Sequence, residues 1–150
     1  MTSALFSPIT LGPMTAPNRI VVAPMCQYSA DDGAPTDWHL QHWMNMGMSH
    51  AGMVTVEATG VERRGRITHG CLGLYSDDAE AGIAWRLKAA RRVSPAATRF
   101  GIQLAHAGRK ASTQIPWHGS GALGPNEDPW QTVAPSAIPF TPAWHTPVAL

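Results

Sequence analysis

Apolar residues along the chain fall into two kinds of stretch, short unbroken runs and longer segments with helical spacing. Ile20-Val21-Val22-Ala23, ended by Pro24, is β-branched and does not alternate, which suits a strand buried on both faces. Met53 to Thr59 and Phe100 to Ala105 are two further runs of this type. Between the first two, Trp38, Met46 and their apolar neighbours recur at helical spacing from Trp38 to His50, with Asp37 as N-cap and Gly52 as stop. Asp77 or Asp78 caps a second helix that runs to about Arg92, where Arg91 and Arg92 oppose the negative end of the dipole. Strand, helix, strand, helix, strand with short caps predicts an α/β chain with a parallel sheet of right-handed βαβ units. Ahead of these units, Ile9-Thr10-Leu11 and the segment Gly12 to Asn18 read as short strands around a turn.

Proline placement sharpens this division. Five prolines precede Asp37, none lies between Thr36 and Ser94, and seven crowd the stretch from Ile115 to Leu150. Regular structure is expected in the middle and irregular loops at the end. A parallel α/β chain has two common solutions, an open doubly wound sheet and a closed eight-fold barrel, and both place chemistry at the carboxyl ends of the strands. The segments to inspect are therefore Pro24 to Tyr28, Thr59 to Val61 and Gln103 to Lys110.

Composition narrows the function. With 150 residues and 44% hydrophobic side chains, the chain can build one core and leave roughly 7,400 Å² of surface if compact. Eleven basic against ten acidic residues, scattered and with only two lysines, give no electrostatic footprint for nucleic acid. No apolar run approaches the ~20 residues of a membrane span, and the N-terminus has no charged segment leading into an apolar one. A soluble, cytoplasmic protein is expected. Cys26 and Cys71, without CxxC spacing, suit a reducing compartment.

Several residues invite a chemical reading. Gly119-Ser120-Gly121-Ala122-Leu123-Gly124 has GxGxxG spacing, but no strand feeds it and Pro125 to Pro129 leave no helix to receive a pyrophosphate. His39 and His42 stand at i, i+3 on the first helix; zinc wants three or four ligands, so helix-packing or surface histidines are expected and no metal is assigned. Cys26 follows the first strand, either as a small buried hydrophobe or as a side chain presented to a site. Cys71 has no comparable setting and reads as packing. Gln103 interrupts an apolar strand, where a buried amide would match the edge of a planar heterocycle carrying C=O and N–H groups. Glu57 also falls within an apolar strand and calls for a partner such as an arginine. His106-Ala107-Gly108-Arg109-Lys110 ends the third strand as a cationic loop, with His106 placed as a ligand; the alternative is a solvated turn.

Taken in order, Asn18-Arg19-Ile20, Ala23-Pro24-Met25-Cys26-Gln27-Tyr28, Asp37-Trp38-His39, Val56-Glu57-Ala58-Thr59, Gly65-Arg66-Ile67-Thr68 and Gly101-Ile102-Gln103-Leu104-Ala105-His106-Ala107-Gly108-Arg109-Lys110 resemble the Old Yellow Enzyme family. The cysteine in the second block resembles the bacterial class that includes xenobiotic reductase A and the thermophilic-like ene-reductases. The resemblance implies the amino-terminal portion of a single FMN-binding (β/α)8 TIM barrel: an N-terminal β-hairpin plug over 5–18, βα units over 19–110 and a Pro-rich loop region over 111–150. It implies that Pro24, Met25 and Cys26 line the flavin, that Cys26 tunes its potential, that Gly60 lies against the ring, that Gln103 binds its pyrimidine edge, and that Tyr28 touches the substrate.

The implied activity is ping-pong hydride transfer from NADPH or NADH, through flavin N5, to an electron-poor alkene such as an α,β-unsaturated carbonyl or nitro compound. Such barrels need about 200 residues or more. The chain is therefore expected to leave the barrel incomplete and to be inactive alone. The family's substrate-gripping histidine pair, proton-donor tyrosine, flavin arginine and phosphate loops are expected beyond Leu150, and Ile138 to Leu150 reads as loop leading toward a helix. A homo-oligomer is expected of the full-length protein. The alternative is a noncatalytic half-barrel subunit that requires a complementary chain.

Overall fold

The computed structural model describes residues 3–150. Strands β1 (Ile9–Leu11) and β2 (Met14–Ala16) form an antiparallel hairpin, with Gly12 at φ +56° in a turn that a Cβ would strain. Strands β3 (Val21–Val22), β4 (Met53–Gly60) and β5 (Arg99–Ala105) then make a parallel sheet in the order β3-β4-β5. Helices α1 (Asp37–Gly47) and α2 (Asp77–Val93) provide the two crossovers. The expected βαβαβ order is present, with β3 shorter than its apolar run because Ile20 and Ala23 lie outside the ladder.

Both helix starts move one step from the acidic residues expected to cap them. Thr36, in extended conformation, is the N-cap of α1, and its own N–H donates to Nδ1 of His39 at 3.0 Å. Histidine here fills the place usually taken by Glu or Gln at the third helical position. Asp37 becomes the first helical residue and is exposed. Ser76 caps α2, its Oγ accepting from the Ala79 N–H at 3.2 Å, while Asp77, Asp78 and Glu80 occupy the first turn and Arg91 and Arg92 the last. Both ends of α2 thus suit its dipole.

The stop of α1 also differs from expectation. The helix ends at Gly47, where a Cβ would collide with Ser94 and press on the Phe100 ring, so the glycine permits close packing. Gly52 serves another purpose. Its N–H donates to Asn18 Oδ1 at 2.8 Å, Ile20 N–H donates to the same oxygen at 3.0 Å, and Asn18 Nδ2 donates to the His50 carbonyl at 2.9 Å. One side chain therefore ties the exit of the hairpin to the turn that starts β4.

Trp43, Val56, Leu72, Ile83 and Ala90 form the core between the helices and the sheet, with Phe100 packed against it. Both edge strands are open, against the expectation of strands buried on both faces, because only β4 has a neighbour on each side: Val21 on β3 is 54% exposed, and on β5 Ile102 is 37% and Leu104 59%. Total exposed surface is 8576 Å², more than the roughly 7,400 Å² of a compact chain this size. The excess goes with a sheet open at both edges and with apolar residues exposed in the irregular segments, such as Trp117 and Ile138. Beyond β5, 111–150 is mostly irregular, with a 3-10 turn at Pro116–His118. Strands β6 (Val133–Ala134) and β7 (Val148–Ala149) pair in parallel, through Val148 N–H to the Thr132 carbonyl at 2.9 Å and Leu150 N–H to the Ala134 carbonyl at 3.0 Å. The expected loop from Ile138 thus closes on a strand, because the buried Val133–Ala134 segment offers it a ladder edge.

Two substitutions grade these contributions. Trp43→Ala should remove about 3–5 kcal/mol of unfolding free energy by opening a cavity in the core, and Ser76→Ala about 1 kcal/mol by uncapping α2. Urea titrations followed by circular dichroism would rank them, and equal losses would contradict this assignment of the core.

Candidate functional site

The three segments singled out at the strand ends meet at one end of the sheet. After β3 the chain runs through Pro24 and Met25, the latter 56% exposed, to Cys26, whose thiol lies within reach of the Ala58 backbone amide. Gln103 pairs with Ala58 across the β4–β5 ladder. Cys26 and Gln103 therefore flank the same residue at the same level of the sheet. Gln103 is exposed, contrary to the expectation of a buried amide, since β5 is the edge strand. Its side chain makes no hydrogen bond among the described residues, which leaves two N–H donors and a carbonyl free.

Tyr28 sits at φ +52°, a left-handed conformation uncommon for a bulky residue. The chain holds it there by close approach: a Cβ on Gly70 would collide with the Tyr28 backbone, and Ala30 N–H donates to the Gly70 carbonyl at 3.0 Å. The Tyr28 ring stands edge-on to Trp117, centroids 5.4 Å apart and planes at 86°. Burial, then the neighbouring Cys26, Cys71 and Glu57, push its phenol pKa up, so the ring keeps its proton. A cavity of about 600 Å³ opens beside it, lined by Asp32, Arg66, His69, Gln114 and His118 among others. Gly60 is buried, its N–H donating to the Leu72 carbonyl at 2.8 Å, and a Cβ there would press on Arg66 at 3.1 Å.

Glu57 finds its hydrogen-bond partner in the backbone N–H of Gln27, not in an arginine, and His39 packs beside it. The carboxylate is 2% exposed, Oε1 accepts from the Gln27 N–H at 3.1 Å, and Oε2 faces Nε2 of the fully buried His39 at 3.8 Å. His39 is thus drawn inward by its neighbours, and among the described residues no group of three side chains that could hold a metal includes it or His42. His106 is also engaged: Gly108 N–H donates to Nδ1 at 3.0 Å and Nε2 meets Glu62 at 2.7 Å. The Gly119–Gly124 segment is a loop clasped by Gln114, which accepts from the Gly121 N–H at 3.3 Å.

The two thiols form a pair that their sequence separation of 45 positions conceals. Cys71 Sγ accepts from the Thr68 N–H at 3.4 Å and meets Thr68 Oγ1 at 3.3 Å. The hydrogen bond from Cys26, followed by these donors, pulls the Cys71 thiol down to about 6 against the burial that opposes it. The same contact, with burial, pushes the Cys26 thiol well up. Cys71 is buried at 1% exposure, as the packing reading expects, and Thr68 three residues before it adds two polar contacts to the sulfur. Trp117, in the Pro-rich region, carried no signal of its neighbour Tyr28. Because the folded Cys71 pKa lies below its ordinary value of 9.0, its stabilisation is full above about 9 and lost as pH falls through about 6. Titration of thiolate absorbance near 240 nm should show one thiolate forming near pH 6, absent in Cys71→Ser; persistence in that variant would contradict the assignment.

A profile of the NADH:flavin oxidoreductase / NADH oxidase family matches residues 4–135. An NADH:flavin oxidoreductase of Gibberella zeae is 42% identical over 144 residues, covering 91% of this chain and 33% of its own length. An NADPH dehydrogenase of Bacillus subtilis is 39% identical over 152 residues, covering 100% of this chain and 40% of its own length. Morphinone reductase superposes with a TM-score of 0.76 at 27% identity over 98% of this chain and 39% of its own. An Old Yellow Enzyme homologue from Zymomonas mobilis does so with 0.74 at 26% identity over 99% and 40%. The chain spans a third to two fifths of the length of these relatives, and its open α/β sheet is the amino-terminal part of their (β/α)8 barrel. With the match running from the hairpin through β5 and into β6, the chain belongs to the NADH:flavin oxidoreductase / NADH oxidase family, the group of the Old Yellow Enzymes.

Proposed function

We propose that this chain is the amino-terminal portion of an FMN-dependent NAD(P)H oxidoreductase that reduces activated alkenes. The observation carrying the reading is the placement of Cys26 and Gln103 on either side of Ala58, with the Gln103 amide free of partners among the described residues. An amide with unused donors and an unused acceptor fits the alternating C=O and N–H edge of an isoalloxazine, and the thiol on the other flank fits its N5 side. Pro24 and Met25 carry the backbone along that side, and Gly60 keeps the end of β4 without a side chain. When bound, the flavin would supply the hydride chemistry, taking reducing equivalents from NADPH or NADH and delivering them to an electron-poor alkene.

The residues of this chain have separate tasks in that arrangement. Gln103 orients the ring, Cys26 adjusts its electronics through an uncharged thiol, and the protonated Tyr28 phenol donates a hydrogen bond to the substrate's carbonyl or nitro oxygen. Hydroxyl donation at the oxygen that gains charge lowers the barrier without any change in protonation of the tyrosine. The relatives named as NADPH dehydrogenases and as an NADH:flavin oxidoreductase support the nicotinamide reductant. The cytoplasm and a homo-oligomer of the full-length protein belong to the same reading.

A second reading rests on β5. Exposed Ile102 and Leu104 on an edge strand are an open template for pairing, as a noncatalytic half-barrel completed by another chain would require. Size-exclusion chromatography separates the two, since a cooperative monomer counts against the half-barrel.

For the oxidoreductase, the full-length gene product should purify yellow and oxidise NADPH or NADH in the presence of cyclohexenone. Gln103→Ala should weaken FMN binding by about tenfold or more, the factor for one or two lost hydrogen bonds, measured by fluorescence titration. A colourless product that fails to take up FMN would end this reading.

A further inference from the structure

The sheet carries one irregularity that the flavin reading leaves unused. The β4–β5 register slips between Val56 and Ala58, so Glu57 is an extra residue in β4 and its carboxylate is turned into the protein beside its buried neighbour Val56. Bulges of this kind re-aim a side chain and gather near functional sites. A carboxylate at 2% exposure is costly unless it is hydrogen-bonded, yet Oε2 of Glu57 and Nε2 of His39 are both buried without a hydrogen-bond partner and face each other at 3.8 Å.

The proton inventory around this pair has one solution. The Thr36 N–H can only donate, and it donates to His39 Nδ1. The Thr36 hydroxyl spends its hydrogen on the Ser29 carbonyl at 2.9 Å. Nδ1 is therefore an acceptor, and the neutral imidazole carries its hydrogen on Nε2, pointed at Glu57. The carboxylate accepts one hydrogen bond, from the Gln27 N–H to Oε1, while Oε2 only faces His39 Nε2 at 3.8 Å, beyond hydrogen-bond reach. Gln27 lies between Cys26 and Tyr28, and its side chain is itself held, with Oε1 accepting from Trp38 Nε1 at 3.1 Å and Nε2 donating to the Met25 carbonyl at 2.8 Å.

We propose that Glu57, oriented by His39, is a positioning residue that fixes the backbone of Gln27 and through it the Cys26 thiol and the left-handed Tyr28. Without the bulge the carboxylate would not reach Gln27; His39, anchored by Thr36, packs against its other oxygen. The segment that presents Cys26 and Tyr28 is thereby tied to β4 and to the start of α1 at once. Its consequence for flavin and substrate rests on the function proposed above, whereas the tie itself does not.

Glu57→Gln tests the tie, because the amide would present a donor either to His39 Nε2–H or to Gln27 N–H. In the full-length gene product as purified, hydrogen exchange at the Gln27 amide should accelerate on the order of tenfold, as expected for loss of a hydrogen bond to a charged acceptor, and Cys26 should be alkylated faster by iodoacetamide, with peptide mass spectrometry separating it from Cys71. Glu57→Gln combined with His39→Gln should restore slow exchange at Gln27, since the second amide offers a carbonyl to the first. Exchange at Gln27 within twofold of the parent in the folded single variant, or an increase spread evenly over β3, β4 and β5, would overturn the proposal. If the single variant does not fold, nitrogen-15 spectra of His39 in the parent decide, since hydrogen on Nδ1 would overturn it. Neither measurement needs bound flavin, so failure to take up FMN would remove the proposed function and leave this inference standing.

Discussion

The buried carboxylate of Glu57 is the constraint around which this end of the molecule is arranged. A carboxyl group in the interior must be hydrogen-bonded, and the chain supplies that bond from the segment after β3, with the first turn of α1 packed against the other oxygen. Satisfying that group fixes the path of 24–29 across the strand ends. The same path brings Cys26 against Ala58, opposite Gln103, and gives Tyr28 its ring direction.

Two departures from regular backbone lie where the candidate chemistry does. Tyr28 is held at positive φ by contacts around Gly70, and the sheet breaks register at Glu57 while its remaining pairs stay regular. Such departures persist only when surrounding structure compensates for them. Here the compensation is the backbone contact with Gly70 and the Gln27 hydrogen bond to Glu57. The paired thiols add a second electrostatic feature: Thr68 stabilises negative charge on Cys71, and Cys26 keeps its proton.

The remainder of the molecule serves to hold that end in place. Asn18 ties the hairpin to the α1–β4 turn, Trp43 and Leu72 fill the space between helices and sheet, and Ser76 starts α2 where its first turn can face Asp77 and Glu80 to the dipole. At β5 this packing ceases, and Ile102 and Leu104 meet solvent. An open parallel sheet has this form, and it contributes to the surplus of exposed surface.

Much of this could be read from residue order alone. Unalternated apolar runs and helical spacing dictate the βαβαβ course, since strands and amphipathic helices have different periods, although of the three strands expected to be buried only β4 is largely so. The strand ends carry Cys26, Tyr28 and Gln103, so the placement of unusual residues is also a property of the sequence. What required the tertiary structure is everything that depends on contact between distant segments. Glu57 could be seen to need a partner, but only the bulge makes that partner the Gln27 N–H, with His39 alongside, instead of an arginine. Gln103 interrupts an apolar run, but its exposure follows from β5 being an edge, which no local pattern encodes. Cys71 meets Cys26, and Trp117 meets Tyr28, across separations that carry no periodic signal. Local sequence determines element type through backbone and side-chain geometry, whereas burial, proton sharing and pairing are decided by what the folded chain brings alongside.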